Sequence, residues 1–356
     1  MKQGPMPLWG SRFRRWIGER MQALGRQRWL LVALGLVALL GLVVYLVAFF
    51  PQRASNPRVT TSVFQAALME HLQAPQPLDG QPPITWNQPA GMAVLHGTRF
   101  VLDTGNDRIL ELDDAGAVRA IIDRTIDERV ALQGPMAIAS DGEYLYVANS
   151  GAHQILVLTP AGQVVKAIDL ANPEAPDGVP PRPIGLAVAA NGDILVSDAA
   201  SHRVLRYDPD GRLLQAIGAG KRESGTKGFN TPGGIAIDAA GNIYVVDILN
   251  GRVVQLSPDG AFLGQFGELG DTAGTFSRPK EVAIDATGKV YVSDGLLAAV
   301  QVFGPQGEYL GFIGREEPGD SDSGSLFRAP AGLKVAGDTL YVVDRFLGLF
   351  AFQVLP

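Results

Sequence analysis

GIAIDAAGNIYVVDILNGRVVQLSPDGAFLGQFG, residues 234–267, reads as four short strands in succession. GIAID (234–238) and IYVVD (243–247) flank a turn over residues 239–242. RVVQL (252–256) follows the loop Ile248–Gly251, and AFLGQFG (261–267) follows the turn SPDG (257–260). β-Branched and aromatic runs of this length, punctuated by Gly, Asn, Asp and Pro, are strands joined by tight turns. The outer turn recurs as TPAG, DPDG and GPQG at 159–162, 208–211 and 304–307. Proline at its second position presets φ and glycine stands fourth, which suits a type I turn.

Outward from this unit, the second strand recurs six times, always ending in Asp or Asn. The copies are RFVLD (99–103), LYVAN (145–149), ILVSD (194–198), IYVVD (243–247), VYVSD (290–294) and LYVVD (340–344). Each follows a proline by 14 or 15 residues: Pro89, Pro135, Pro183, Pro232, Pro279 and Pro330, spaced by 46, 48, 49, 47 and 51. A period of this length filled with four short strands is a β-propeller blade, so the chain is all-β with six four-stranded blades. The sixth copy stops after its third strand, at Phe352–Pro356, and needs a fourth from elsewhere to avoid an exposed edge. The segment Ile84–Asn87 is the expected donor.

The pattern P-x-G-x-A … G-x-[IV]-Y-V-x-D-x-x-N-x-R, and DTGNDRI at 103–109 above all, resembles the NHL repeat. The resemblance covers residues 83–356 and implies a six-bladed propeller. It specifies activity poorly, because propellers serve as lyases, lactonases, receptors and scaffolds alike.

Composition limits the rest. Gly 43 and Pro 24 in 356 residues, with 46% hydrophobic residues, fit a turn-rich folded chain and exclude a disordered one. The absence of cysteine excludes disulfides, thiolate metal sites and a cysteine nucleophile. The net charge of -6 hides an asymmetry: residues 1–50 carry seven basic residues and Glu19, or +6, which leaves -12 for the remainder. So acidic a body repels phosphate backbones, and no nucleic-acid partner is expected.

WLLVALGLVALLGLVVYLVAFF, Trp29–Phe50, runs 22 residues without a charge, long enough at about 1.5 Å per residue to cross a bilayer. It lacks the short apolar region and cleavage site of a signal peptide. The basic residues before it predict a cytoplasmic amino terminus and an extracytoplasmic remainder. The expected organisation is therefore a cytoplasmic segment 1–28, a transmembrane helix 29–50, a stalk 51–82 and the propeller 83–356. Within the stalk, Val63, Phe64, Ala67, Leu68 and Leu72 fall on one side of a short amphipathic helix over Thr60–Leu72.

Candidate functional residues are sparse. The six strand-end residues Asp103, Asn149, Asp198, Asp247, Asp294 and Asp344 repeat too regularly for a ligand set and fit a turn-capping duty in every blade. His153 and His202 occupy equivalent slots in adjacent blades, too far from the axis to share a zinc ion. No metal, cofactor or catalytic set is expected. Blade five departs from the repeat at Lys280-Glu281, where four of the other five blades have glycine within two residues of the proline. This pair is expected at the central opening, where a small ligand would bind. The loops between second and third strands are polar in blades one to three and apolar in blades four to six. There they bring Ile248, Leu249, Leu296, Leu297, Phe346 and Leu347 to one face, a candidate patch for a partner. The reading that follows is a membrane-anchored extracytoplasmic binding module for a protein partner or ligand. The alternative is a metal-dependent lyase or lactonase-like enzyme working in the central opening.

Overall fold

The structure, a computed structural model, describes residues 66–77, 83–123, 130–170, 179–314 and 325–354. The stretch 29–50 read as a transmembrane helix lies outside them, and among the described residues no helix is long and apolar enough to cross a membrane. Residues 61–356 form one compact unit.

Among the described residues the strands make six antiparallel sheets of four, the six blades. The inner strands are Gly91–Leu95, Pro135–Ser140, Pro183–Val188, Pro232–Ile237, Pro279–Ile284 and Pro330–Ala336. Five of these begin on the repeat proline, which has no N–H to give a ladder and is tolerated at a strand's first residue. Second strands are almost wholly buried because neighbouring blades cover both of their faces. Ile243–Asp247, for example, is buried at all five positions. The core is accordingly six clusters, one between each pair of neighbouring blades, rather than one central mass. The outer turns carry glycine at positive φ, and they stack on the preceding blade. At Gly260 (φ +86°) an added Cβ would lie 2.8 Å from Ile217, so both the backbone and the blade contact require glycine.

Two expectations fail at the ring closure. The fourth strand of blade six is Ala66–Leu72, paired antiparallel with Gly348–Val354 from Ala66↔Val354 to Leu72↔Leu349. Over Ala66–Leu72 it is a strand and not part of the amphipathic helix expected over 60–72, so the propeller takes in residues ahead of the boundary expected at 83. Helical spacing of apolar residues is a weak preference. The open backbone edge of blade six supplies a ladder of hydrogen bonds that overrides it. Side chains then fix the strand. His71 stacks on Phe350 at 4.0 Å and Glu70 pairs with the buried Arg99 of blade one at 2.7 Å. Leu72 joins the cluster between blades six and one. Ile84–Asn87 is not a strand: it leads into blade one, where the Asn87 N–H donates to Asp103 at 2.7 Å.

Candidate functional site

The strand-end residues do in each blade what their repetition implied. Asp103 accepts the N–H of Asn87, Asn149 that of Gln133, and Asp198 that of Arg182, at 2.7, 2.7 and 2.8 Å. Asp247 accepts from Asn230 at 2.7 Å, Asp294 from Ser277 and Arg278, and Asp344 from Arg328 and Ala329. All six are buried. Each pins the chain as it enters its own blade's inner strand, which fixes the loop face of the ring.

The second oxygen explains the change in loop character. In blades one and four it binds the signature Asn and Arg: Asn106 and Arg108 on Asp103, Asn250 and Arg252 on Asp247. In blades five and six the turn's own N–H groups replace them. Asp294 caps Leu296 and Leu297, and Asp344 caps Phe346 and Leu347, so these loop side chains are released from polar duty. Burial raises the Asp247 carboxyl above its usual range, against the bonds from Asn230, Asn250 and Arg252.

His153 and His202 are latches between blades. His153 Nδ1 bonds Pro181 O at 2.9 Å, and His202 Nδ1 accepts the Thr231 N–H at 3.0 Å. Asp107 does the same in blade one, accepting the Gly134 N–H at 2.6 Å. Among the described residues no group of three or more His, Cys, Asp or Glu side chains could hold a metal ion. Burial first, then the Arg222 charge, lowers the His202 pKa, and only the neutral ring can accept at Nδ1. Its contribution to stability is therefore complete above the unfolded value near 6.5 and is lost as pH falls through the lower folded value. His202→Asn, whose amide oxygen also accepts, should reduce the loss of melting temperature between pH 7.5 and 5 by the equivalent of about 1 kcal/mol. Equal losses in both proteins would show that this bond does not titrate.

The inner strands enclose a channel. At the loop face a cavity of about 420 Å³ is floored by one residue from every blade: Ala90, Met136, Ile184, Gly233, Lys280 and Ala331. Blade five alone places a charge in that layer. It does so on a β-bulge, since between the pairs Pro279↔Asp294 and Val282↔Val292 two residues, Lys280 and Glu281, oppose one, Ser293. A bulge re-aims side chains at a strand end. Glu281 lies one layer deeper and lines both this cavity and a smaller one, about 190 Å³, toward the opposite face. Lys334 lines that second cavity, its ammonium pKa lowered by burial.

Room for Glu281 comes from its neighbour. A Cβ on Gly234 would fall 2.0 Å from Glu281 Oε1 and 2.7 Å from its Cα. Ser293 Oγ accepts the Glu281 N–H at 3.0 Å and donates to Ala331 O at 3.0 Å, which pins the bulge to blade six. Among the described residues no ion pair forms to Glu281, and burial raises its pKa to about 8. Lys280 shifts down, through burial and then the charges of Arg278 and Arg345.

The structure divides the apolar sextet. Leu249, Leu296 and Phe346 are 49%, 66% and 55% exposed, whereas Ile248 and Leu297 are buried. Leu347 packs on the cluster between blades five and six. Ile248, Leu296 and Phe346 line the cavity at the loop face, so the two expected sites, patch and central opening, meet there. Arg182, Arg278 and Arg345 on the same rim were missed. The Arg-Pro pairs at 182–183 and 278–279, directly before two inner strands, were the available signal.

Comparison with known proteins supports the fold. The NHL repeat family matches residues 181–207. A gluconolactonase from Xanthomonas campestris is similar in structure, with a TM-score of 0.58 and 20% identity over 76% of this chain and 87% of that one. Virginiamycin B lyase from Staphylococcus aureus aligns with a TM-score of 0.53 and 15% identity over 82% of this chain and 100% of the other. A Bacteroides thetaiotaomicron protein of unknown function gives 0.61 and 14% over 82% and 76%. No curated protein matches the sequence.

Proposed function

We propose that the propeller is the extracytoplasmic binding module of a single-pass membrane protein, with residues 1–28 cytoplasmic and 29–50 in the bilayer, and that it holds a partner or ligand at the loop-face mouth of its channel. One observation carries this reading. A concave site of ligand-binding size opens on the loop face, and Leu296 and Phe346 stand at its rim exposed over more than half of their surface. Folding does not require that exposure, since the capping N–H groups of these two residues belong to the backbone.

The test is native mass spectrometry of the full-length chain purified from its own membrane, wild type against Leu296→Ser/Phe346→Ser. Neither side chain is core, so the melting temperature should change by under about a degree, as for surface substitutions. A bound species at fixed stoichiometry should be lost in the variant. Retention of that species would move the binding surface off this rim.

The enzyme alternative draws support from the folds of the two named relatives and from Glu281, a group in the channel that exchanges a proton near neutral pH. It does not fit a resident metal, because the described residues bring no ligand set together. Turnover of a lactone or of virginiamycin B by the purified chain, abolished in Glu281→Gln, would favour it over the binding module.

A further inference from the structure

The cavity at the loop face carries charge opposite to that of the protein around it. Outside its first fifty residues the chain has a net charge of -12, the total of -6 less the +6 of that segment. Yet Arg182, Arg278, Lys280 and Arg345 all line this one cavity, and Glu281 is its sole acidic lining residue. Among the described residues no carboxylate forms an ion pair with any of the four. The Arg345 Nε is buried and, among the described residues, has no hydrogen-bond partner.

The carboxylates close by are committed to backbone. Asp294 holds the N–H groups of Ser277, Arg278, Leu296 and Leu297. Asp344 holds those of Arg328, Ala329, Phe346 and Leu347, and Asp198 those of Arg182 and Ala200. Glu281, at the floor, is mostly protonated at neutral pH and can donate a hydrogen bond into the cavity rather than repel an anion. Like charges gathered in a concave, partly desolvated site raise its potential and attract the opposite sign from solution. Arginine and lysine together are the usual donors to carboxylate and phosphate oxygens.

We propose that the channel mouth binds a small organic anion, its carboxylate or phosphate head held by Arg182, Arg278, Lys280 and Arg345 and its apolar body against Ile184, Ile248, Leu296 and Phe346. This rests on the reading of the mouth as the binding site and names the ligand's chemistry. The volume of about 420 Å³ suits a molecule of metabolite size. Lys280 gives the site one polar direction, because the corresponding layer of the other five blades is Ala, Met, Ile, Gly and Ala.

The experiment is calorimetric titration of the full chain in phosphatidylcholine nanodiscs with hexanoate, hexyl phosphate, inorganic phosphate and hexanol. Hexanoate or hexyl phosphate should bind at one per chain, inorganic phosphate more weakly, and hexanol not measurably. The preference between the two organic anions identifies the head. Arg278→Gln, at an exposed position, should weaken binding about tenfold, and Arg278→Gln/Lys280→Gln about a hundredfold, as expected for charge-assisted hydrogen bonds. Melting curves recorded alongside confirm that each variant is folded, and Arg278→Gln is informative even if the double variant is not. Binding of hexanol equal to that of hexanoate, or unchanged affinity in Arg278→Gln, would overturn the anion assignment. The Leu296/Phe346 rim test stands apart from that outcome: loss of a native partner in that variant with no anion binding would leave the module and remove its ligand class.

Discussion

Glu281→Gln makes the propeller more stable at pH 8 than the wild type and nearly leaves it alone at pH 5. The Glu281 carboxyl, ordinarily near 4.5, is raised to about 8 by burial in the channel wall. Between those values the folded chain keeps a proton that the unfolded chain has lost, so wild-type stability falls as pH rises from 4.5 toward 8. Glutamine has the shape of the protonated acid, keeps an oxygen for the Val282 N–H, and does not ionise. At 1.36 kcal/mol per pKa unit, with allowance for water reaching the channel, the variant gains roughly 2 to 4 kcal/mol at pH 8. In a ring of this size that is a rise of several degrees in melting temperature. Thermal unfolding of the two proteins at pH 5, 6, 7 and 8 measures it. A difference that does not change with pH means Glu281 titrates as a solvated acid, and the account of a carboxyl desolvated by the channel wall is wrong.

Asp247→Ala costs about 3 to 5 kcal/mol. Asp247 is fully buried and holds the Asn230 N–H, the Asn250 amide and the Arg252 guanidinium, the last at 2.9 Å. Alanine leaves Arg252, itself 4% exposed, without its counter-charge, and removing one partner of a buried pair has that magnitude. Arg252 keeps its bonds to Ser224, Gly225 and Gly228, so the damage centres on how the chain enters blade four. Blade two shows what a neutral version looks like: Asn149 accepts from Gln133 and pairs with Gln154 instead of an arginine. Asp247→Asn/Arg252→Gln should therefore lose less than the sum of its single substitutions, measured by denaturant unfolding. Strict additivity would show that the two side chains are not coupled.

The repeat itself was legible because the blades need the same devices: a proline to open, an acidic or amide clamp at the second strand and, in blades one to five, a glycine turn outside. Each is bound to a residue type by backbone geometry. The closing strand Ala66–Leu72 was not legible, since its conformation is dictated by an edge almost three hundred residues away and local spacing favoured a helix. The candidate site was half legible. Lys280 and Glu281 stood out because they put two charges where four of the other five blades have glycine, and Leu296 and Phe346 because their loops change character. Ile248 and Leu297 could not be told from them, because burial in a turn depends on which way each side chain leaves it. The arginines escaped notice because they come from three separate blades, and only the closed ring brings them to one cavity.

The strand Ala66–Leu72 also sets a clock. It pairs with Gly348–Val354, so it waits while some 280 residues are made before its partner exists. At about 5–20 residues per second that interval is roughly 15 to 60 seconds. Blades one to five can pair within themselves as they emerge, since each is local in sequence. Their assembly leaves an open arc with blade six three strands wide and its outer edge bare. Closing a loop of 280 residues instead of about 50 costs roughly 1.5 kcal/mol more in chain entropy, a small barrier beside the ladder and the Leu72, His71 and Glu70 contacts that reward it. The hazard is kinetic: until the last strand arrives, a second nascent chain offers the same edge and the same strand, and swapping between neighbours competes with closure.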